Sequence, residues 1–366
     1  MSRIVIDARE LRTSTGRYVE RLLFYLQKLD KQNSYKVLLK PEDMDSWEPI
    51  NVNFEKIACL VKEFSFAEQL ALKNQIESLR ADLVHFTMAQ QPIWYKSKTV
   101  TTIHDLTTLR FNNPAKNIVV FKLKQRVYGF VIKRAVAKAD TVITPSKYVK
   151  NDLVKYSSVK PSKVVVTYEA AEPIKEASEP VIELAGKQFI MYIGRPTPHK
   201  NLNRLIEAYM SLKKTHPDLV LALAGKKDFN YRQIENKVQA DRIQGIVFTD
   251  FVSEGQLKWM YQNCQAYVFP SLSEGFGLPG LEAMVHGAPV VSSNATCLPE
   301  IYKDAAHYFD PKSIKSMAES IDDVLTNKQL RQALVKKGHK LVLNYSWETM
   351  AKQTLAIYKD SLKKPS

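Results

Sequence analysis

The chain has 366 residues, 45% of them apolar and 25% charged, a balance typical of a globular protein large enough for two α/β domains. No apolar run approaches the roughly 18 residues of a membrane-spanning helix, and we expect no cleavable leader because the first residues read as a strand. The three cysteines lie too far apart for a zinc site or a disulfide framework, so a cytoplasmic location is expected.

The formal net charge of +15 is concentrated in the first half of the chain. Residues 1–170 contain 28 basic and 17 acidic side chains, whereas residues 171–366 contain 25 and 21. Eight basic residues and no acidic residue lie between Asp105 and Asp140, interleaved with apolar ones. Such a face is typical of a surface that binds an anionic membrane, a nucleic acid or a pyrophosphate-bearing acceptor, or of a merely well-solvated helix.

Short β-branched runs alternate with amphipathic stretches along the first 170 residues. This alternation predicts a parallel sheet with helices on both faces. The predicted strands cover residues 3–7, 36–39, 57–61, 82–86, 100–104, 141–144 and 164–168. The predicted helices cover residues 16–29, 67–79 and 119–139.

A second series of the same kind follows a Pro- and Glu-rich, weakly periodic stretch at residues 169–187. We therefore expect a first domain at 1–170, a linker at 171–187, a second domain at 188–345, and a helix at 346–366 that packs back on the first domain. The strands predicted in the second domain are 189–193, 220–224, 246–248, 266–269 and 289–292, and the helices are 203–215, 254–262 and 278–286.

Together these elements predict an α/β protein with two Rossmann-like, doubly wound parallel-sheet domains that face each other across a cleft. In open α/β sheets, ligands bind in the loops that follow the carboxyl ends of the strands. Chemistry-bearing residues are therefore expected in those loops.

The clearest motif is residues 270–291, PSLSEGFGLPGLEAMVHGAPVV, where a strand leads through a Gly/Pro-rich turn into a helix beginning near Leu278. The start of a helix offers unpaired backbone N–H groups, which suit a phosphate. Gly275 and Gly277 would let a bulky ligand approach that backbone closely. Glu274 precedes the helix and Glu282 lies about one turn inside it, so they could contact a sugar and a ribose. A purely structural turn is the alternative.

Three further loops follow predicted strands. In YIGRPTPHKN, residues 192–201, Arg195 and Lys200 could neutralise a diphosphate, with Gly194 at the bend, although an exposed basic loop would have the same composition. In TTIHDL, residues 101–106, His104 ends a strand, a position where a histidine is more often structural. The loop before residue 19 contains one glycine, Gly16, which opens the first helix and is a weak signal alone.

This set of motifs resembles glycosyltransferase family 4, the group of retaining enzymes with the GT-B fold. Residues 274–282 fit its E-x7-E motif, and Gly194-Arg195 with Lys200 fits its G-R-x4-K loop. Residues 288–311, with Pro299-Glu300 and Phe309-Asp310-Pro311, are similar to the pattern that follows the motif helix. In the first domain, ARELRTSTGRYV, TIHDL and ADTVITPSKYVKNDL are similar to the branch that contains bacterial O-polysaccharide mannosyltransferases.

The resemblance implies roles for residues of the second domain. Arg195 and Lys200 would hold the donor diphosphate and stabilise charge on the departing nucleotide. Glu274 would contact hydroxyls of the donor sugar near the reacting carbon, and Glu282 would bind the ribose. Further donor contacts would come from the backbone amides of Phe276, Gly277 and Leu278.

The resemblance also implies roles for residues outside these two motifs. His104, from the first domain, would reach the transferred sugar, and Gly16 would let the first loop close against the phosphates. Contacts to the base would come from the loops near Gly225 and Phe251-Val252.

The activity implied by the resemblance is that of a hexosyltransferase. It would move a hexose, in first place mannose from GDP-mannose, from a nucleotide-sugar donor to a glycan or polyprenyl-diphosphate-linked acceptor in cell-surface polysaccharide synthesis. We expect no cofactor and no metal ion, and assign no metal to the Asp43-Met44-Asp45 triplet. Residues 110–138 are expected to dock on an anionic membrane surface, which would place the cytoplasmic enzyme on the inner face of the membrane.

Several alternatives remain open from the sequence. A soluble disaccharide or sugar-phosphate synthase and a nucleotide-sugar epimerase would share the fold. A basic nucleic-acid-binding protein would account for the charge but would leave Glu274 and Glu282 unexplained, and no nucleic-acid-binding motif is present, so we expect no nucleic-acid partner. A dinucleotide-dependent oxidoreductase would need a Gly-x-Gly-x-x-Gly turn after a strand, and the sequence contains none.

Overall fold

The computed structural model describes residues 1–13, 15–62, 65–111 and 118–364, with side chains from residue 121 onward in the helix that begins at 118. The chain divides into two compact units. The first unit contains Met1–Leu109, Lys122–Glu169 and Ser346–Ser366, and the second contains Arg110–Phe121 and Ala170–Tyr345. No helix among the described residues is both long and apolar enough to cross a membrane.

The first unit is built on a sheet of seven parallel strands in the order β3-β2-β1-β4-β5-β6-β7. The central strands β1, β4, β5 and β6 are short and almost fully buried, as expected when helices cover both faces of a parallel sheet, whereas the edge strand β3 is largely exposed or half-buried. The strands are β1 Arg3–Asp7, β2 Ser34–Leu39, β3 Phe54–Ala58, β4 Leu83–Phe86, β5 Thr99–Thr102, β6 Thr141–Thr144 and β7 Val164–Val166. The helices before the second unit are α1 Gly16–Leu29, α2 Lys73–Ser78, α3 Ile118–Lys138 and α4 Lys147–Ser157.

The second unit is built on a sheet of six parallel strands in the order β10-β9-β8-β11-β12-β13. Its strands are β8 Phe189–Ile193, β9 Val220–Ala224, β10 Ile246–Asp250, β11 Ala266–Phe269, β12 Val290–Ser293 and β13 Ala306–Phe309. Its helices are α5 Leu202–Leu212, α6 Phe229–Ala240, α7 Glu254–Asn263, α8 Leu278–Val285, α9 Leu298–Tyr302, α10 Ile314–Thr326 and α11 Lys328–Val342. In both units, then, the loops after β-strands gather at one edge of a parallel sheet.

The last helix, α12 Trp347–Lys363, belongs to the first unit although it follows the second in sequence. It packs against α1 and lies next to β4 and β5. The Tyr358 hydroxyl lies 2.6 Å from Nδ1 of His85, which is buried in β4. The first unit is therefore completed by a helix that follows the second unit in sequence.

Three of the predicted segments differ from the sequence-based expectation. The strand predicted at 57–61 lies three residues earlier, as β3, Phe54–Ala58. The helix predicted at 67–79 begins as a π-helical turn, Glu68–Leu72, before α2, and Glu68 accepts a hydrogen bond from the buried Arg9 at 3.0 Å.

Arg110–Phe121 is grouped with the second unit, where the Phe111 ring lies 5.7 Å from the His199 ring. Lys116 and the side chain of Val119, both part of the predicted basic stretch, lie outside the described residues.

Candidate active site

Hydrogen bonds connect three loops of the second unit at the carboxyl edge of its sheet. The loop after β8 accepts a hydrogen bond at the His199 carbonyl oxygen from the Leu272 amide, which belongs to the loop after β11, at 2.7 Å. The side-chain amide of Asn201 donates to the Pro270 carbonyl at 3.0 Å and to the Pro311 carbonyl, after β13, at 2.8 Å. Asn201 is 5% exposed, so these buried hydrogen bonds fix the loops against one another.

This arrangement brings Lys200 and Glu274 into direct contact. Lys200 Nζ lies 2.6 Å from Glu274 Oε1, and the two side chains are 19% and 12% exposed. The Lys200 ammonium also lies 5.5 Å from the centre of the Phe269 ring. A largely desolvated, charge-assisted hydrogen bond of this kind holds both groups in fixed positions.

The backbone around Glu274 is held by the segment that follows β12. The Glu274 amide donates to Thr296 Oγ1 at 3.1 Å, and the Cys297 thiol donates to the Glu274 carbonyl oxygen at 3.3 Å. Burial, together with the charges of Glu274 and Glu300, raises the pKa of the Cys297 thiol well above its ordinary value. Cys297 is therefore a neutral donor to this loop at physiological pH and not a thiolate nucleophile.

Arg195 lies on the same loop as Lys200 but is held much more loosely. Its side chain is 74% exposed, and Nε lies 4.0 Å from Asp228 Oδ2. Gly194 has a φ of +139°, and Gly225 has a φ of +146°. A Cβ atom on Gly225 would lie 2.7 Å from the Gly194 carbonyl oxygen, so the loops after β8 and β9 pass each other closely. Arg195 is thus an exposed cation on a loop whose backbone packs tightly against the loop after β9.

The start of α8 differs from the sequence-based interpretation in one respect. Gly277 is the residue before the helix, with a φ of +96°, and a Cβ atom there would lie 2.5 Å from Tyr302 Oη. The Tyr302 hydroxyl donates to the Gly277 carbonyl oxygen. Packing within the protein therefore already requires glycine at this position, whereas the sequence interpretation attributed it to the approach of a ligand.

The other predicted donor residues lie on either side of this turn. Phe276 is 4% exposed and its ring packs edge-on against Tyr345, so its side chain is part of the core. Leu278 is the first residue of α8 and Glu282 the fifth. The Glu282 carbonyl accepts a hydrogen bond from His286 Nδ1 at 2.8 Å, and its side chain is half-buried.

In the first unit, His104 follows β5 and both of its ring nitrogens face acceptors. Nε2 lies 3.0 Å from the Thr87 carbonyl oxygen, and Nδ1 lies 3.4 Å from Glu169 Oε1. Burial alone would lower the pKa of His104, but the hydrogen bond and charge of Glu169, the Thr87 carbonyl and Asp105 outweigh burial and raise it. The Tyr18 ring packs edge-on against the imidazole, with ring centres 4.9 Å apart.

Gly16 is the first residue of α1, and its amide donates to the Thr13 carbonyl at 3.0 Å. A Cβ atom there would lie 2.1 Å from the Leu11 carbonyl oxygen. The glycine is therefore required by the tight turn before α1 itself.

Three residues that shape these sites were not predicted from the sequence: Asn201, Tyr302 and Glu169. Asn201 adopts a φ of +62°, a conformation that asparagine tolerates better than most residues, and its place next to Lys200 was the available signal. Tyr302 gave no such signal, because its contact with Gly277 spans 25 positions. Glu169 was included in the weakly periodic Pro/Glu-rich stretch.

The remaining predicted positions lie in varied surroundings. Near the loops predicted to contact the base, Gly225 lies on a tightly packed turn, the Phe251 side chain is 79% exposed, and Val252 is half-buried. In the Asp43-Met44-Asp45 triplet, Asp43 is 4% exposed and lies 4.0 Å from Arg12 Nε. Within the described ranges, no cluster of three or more His, Cys, Asp or Glu side chains has the geometry of a metal site.

Two family models together match most of the chain. The model for glycosyltransferase family 4 matches residues 54–175, and the model for glycosyl transferases group 1 matches residues 174–341. The chain is 29% identical over 272 residues to O-antigen chain mannosyltransferase B of Escherichia coli, covering 72% of this chain and 70% of that protein. It is 26% identical over 289 residues to the O-antigen chain mannosyltransferase RfbU of Salmonella typhimurium, covering 78% and 76%.

Solved structures share the fold over nearly the whole chain. Sucrose-phosphate synthase from Thermosynechococcus elongatus superposes with a TM-score of 0.78 at 20% identity, over 98% of this chain and 99% of that one. HepE of Anabaena in complex with UDP-glucose superposes with a TM-score of 0.75 at 15% identity, over 98% and 100%. These structures show the fold, and the two family models, which together span residues 54–341, show the family: the chain belongs to glycosyltransferase family 4 and is a glycosyltransferase with the GT-B fold.

Proposed function

We propose that this enzyme transfers a mannosyl group from GDP-mannose to a glycan or polyprenyl-diphosphate-linked acceptor, with retention of the anomeric configuration, in cell-surface polysaccharide synthesis. The observation that carries the proposal is the contact between Lys200 and Glu274 at the carboxyl edge of the second sheet. The choice of mannose is supported by the O-antigen mannosyltransferases to which the chain is similar.

The proposed chemistry depends on charge stabilisation in the second unit. The bond from the anomeric carbon to the donor diphosphate breaks, and the acceptor hydroxyl oxygen forms a new bond to that carbon on the same face. Negative charge develops on the leaving diphosphate oxygen, which takes up the proton of the acceptor hydroxyl. Two cations on one loop would neutralise that charge. Lys200 acts as a fixed point charge, and the exposed Arg195 guanidinium can donate two parallel hydrogen bonds to a phosphate. The backbone amides of Gly277 and Leu278 at the start of α8 would add preorganised donors, whereas Pro279 has no N–H and the Gly280 amide already donates to the Gly277 carbonyl oxygen at 3.2 Å.

Glu274 has two roles in this proposal. Its carboxylate orients the Lys200 ammonium, and its remaining lone pairs accept hydrogen bonds from sugar hydroxyls of the donor. Glu282, on the fifth position of α8, binds the ribose. Their placement supports this division, since Glu274 precedes the helix and Glu282 lies on it.

The donor can be identified by ligand-induced stabilisation. A thermal-shift series with GDP, UDP and dTDP should show the largest increase in melting temperature with GDP, because a ligand that binds only the folded state stabilises it by mass action. Product analysis with GDP-mannose and a polyprenyl-diphosphate-linked oligosaccharide should then show a new mannosyl linkage of unchanged anomeric configuration. Stabilisation by UDP or dTDP alone would contradict the GDP-mannose assignment.

Two alternative activities share the same site. A soluble disaccharide or sugar-phosphate synthase would release a water-soluble product from a monosaccharide acceptor, and a nucleotide-sugar epimerase would convert the donor with no acceptor present. The structural similarity to sucrose-phosphate synthase concerns the fold and does not favour that reaction. Assays with a soluble acceptor and with no acceptor therefore separate the three activities.

We also propose that α3 docks the enzyme on the anionic inner face of the cytoplasmic membrane, where a lipid-linked acceptor would be found. Leu123, Val127 and Phe130 are 61%, 55% and 55% exposed, and their spacing of four and three places them on one face of the helix. Phe121 is buried and Val131 half-buried, so the apolar stripe is narrower than the sequence indicates. Cations flank the stripe at exposed Lys122, Lys124, Arg126, Lys133 and Arg134.

This combination of apolar insertion and positive charge is typical of helices that lie in a membrane interface. Flotation should recover the protein with vesicles containing phosphatidylglycerol but not with pure phosphatidylcholine vesicles. Replacing Leu123, Val127 and Phe130 together by Ser should abolish flotation. Ile182→Ser, at an 85% exposed position in the second unit, should leave it unchanged. Equal recovery with neutral vesicles would overturn this proposal.

A further inference from the structure

We propose that Glu169 is a positioning residue that holds His104 as an imidazolium, so that His104 acts as a fixed cation and hydrogen-bond donor and not as a base. The proposal rests on the proposed function and deepens it, because it assigns the charge of a residue expected to reach the transferred sugar. Glu169 lies just after β7, at the last position of its part of the first unit.

The identity of the two acceptors decides the protonation of the ring. The Thr87 carbonyl oxygen can only accept a hydrogen bond, so Nε2, at 3.0 Å, must carry a hydrogen. The Glu169 carboxylate, 3.4 Å from Nδ1, also only accepts. A neutral imidazole with its proton on Nε2 would point the Nδ1 lone pair at a negative carboxylate. Protonation at both nitrogens removes that repulsion and forms a hydrogen bond on each side.

Burial makes the partner necessary. The side chains of His104 and Glu169 are 15% and 6% exposed, so water cannot compensate for a missing charge on either one. The other groups that face the imidazole are the Tyr18 ring edge, the neighbouring Asp105 and His85. Asp105 caps its own loop by accepting from the Thr107 amide at 2.7 Å, which leaves Glu169 as the carboxylate on Nδ1.

His85, in the same unit, is a buried histidine whose hydrogen-bond partners are hydroxyl groups and not a carboxylate. Its ring nitrogens lie 2.6 Å from the Tyr358 hydroxyl and 2.9 Å from Thr102 Oγ1, and a hydroxyl can either donate or accept. A neutral tautomer therefore satisfies both partners. Burial, with the nearby charge of His104, lowers the pKa of His85 to about 3. The two histidines thus form an internal comparison between carboxylate and hydroxyl partners.

The consequence for the reaction is a restriction on roles. A histidine that already carries both protons cannot accept one from an attacking acceptor hydroxyl. His104 would instead present positive charge and N–H groups to the donor sugar. A variant that lowers the pKa of His104 should therefore reduce activity at neutral and alkaline pH, and acidification should restore it.

The direct test is the ionisation of His104 measured by nitrogen-15 NMR on the intact enzyme. In the wild type, both ring nitrogens should show the shifts of an imidazolium at pH 7, whereas His85 should remain neutral. Glu169→Gln should lower the pKa of His104 by at least about 1 pH unit, the scale for removing one close opposite charge. Glu169→Asp should restore most of it. Glu20→Gln, on the exposed face of α1, should leave the titration unchanged.

The pH profile of kcat/KM gives the second readout. Glu169→Gln should lose about 10-fold at pH 8 and regain activity near pH 5.5, a pattern that a merely distorted site would not produce. A neutral His104 in the wild-type enzyme at pH 7 would overturn the proposal without any variant. If NMR shows the imidazolium but the profile of Glu169→Gln is unchanged, the pair exists and the proposed role of His104 at the sugar is wrong.

Discussion

Lys200 Nζ lies 2.6 Å from Glu274 Oε1, and this contact joins the loop after β8 to the loop after β11. The two residues come from separate sequence motifs 74 positions apart. Their pairing means that the cation assigned to the donor diphosphate and the carboxylate assigned to the donor sugar are positioned by each other. A mutation of either residue should therefore alter the position of the other side chain.

Lys200→Ala should reduce turnover by about 10²-fold or more, because it removes a preorganised positive charge from the departing diphosphate. The measurement is kcat at saturating donor, which separates transition-state loss from weaker binding. Lys187→Ala, at an exposed lysine before β8, is the matched control and should be neutral. Near-normal turnover of Lys200→Ala would count against its assignment.

Glu274→Gln should be similarly harmful to transfer, since the amide keeps the size of the side chain but loses its charge. Combined with Lys200→Met, the loss should be far from additive, because residues in direct contact share one interaction. The cycle requires turnover rates of the wild type, both single variants and the double variant. Independent, additive losses would show that the ion pair does not act as a unit.

Arg195→Ala should also reduce turnover by about 10²-fold. It should change the free energy of unfolding by no more than about 0.5 kcal/mol, because the side chain is 74% exposed. Urea unfolding monitored by circular dichroism, run beside the transfer assay, tests both statements. A variant that unfolds early, or one that transfers normally, would contradict this separation of function from stability.

Gly277→Ala should destabilise the protein by more than about 1 kcal/mol, since it combines a positive φ with a Cβ contact at 2.5 Å to Tyr302. Gly186→Ala isolates the first effect, because Gly186 has a φ of +73° and nothing within 4 Å of its Cβ position. The difference between the two midpoints in urea measures the cost of the contact. Equal destabilisation would show that Tyr302 moves away without cost.

His85 and His104 should give opposite pH dependences of stability. Both titrate near a pH of about 6.5 in the unfolded chain. The pKa of buried His85 falls to about 3, so its contribution is present above pH ~6.5 and is lost as pH falls toward 3, with a slope approaching about 1.4 kcal/mol per pH unit. The pKa of His104 is raised, so its contribution is complete below pH ~6.5 and is lost as pH rises through the native value.

Unfolding free energies of His85→Asn and His104→Asn, measured across the range from about pH 4.5 to about pH 8.5, test these signs. Relative to the wild type, His85→Asn should lose least at the acid end, and His104→Asn should lose least at the alkaline end. The same slope for both variants would contradict the assignment of neutral His85 and charged His104.

Local sequence patterns predicted most strands of the two sheets, but they did not predict β13 or several amphipathic helices. Twelve strands overlap predicted ones, although β3 is displaced by three residues from its prediction, and α1 begins and ends where the period of Val19, Leu22 and Leu26 indicates. β13, AHYF, alternates too little to be recognised, and α4, α6 and α9 to α11 were not assigned. Their helical character depends on caps such as Asn327 and on packing against the rest of the unit.

The candidate site was predictable only where its chemistry is local. Arg195, Lys200, Glu274 and Glu282 stand out because charged residues follow strands in Gly-rich loops. Glu169 could not be recognised as a site residue, because its partner His104 lies 65 positions earlier and no local pattern around Glu169 indicates their contact. Tyr302, whose hydroxyl fixes the turn at Gly277, was hidden for the same reason.

The position of α12 has a consequence for synthesis on the ribosome. The helix that covers α1 and supplies the Tyr358 partner of His85 is translated after the whole second unit. A nascent chain that stops at residue 345 has the complete second unit but only part of the first. Most of the first unit is therefore synthesised before the second unit, but the first unit can be completed only after it, when residues 346–364 leave the exit tunnel.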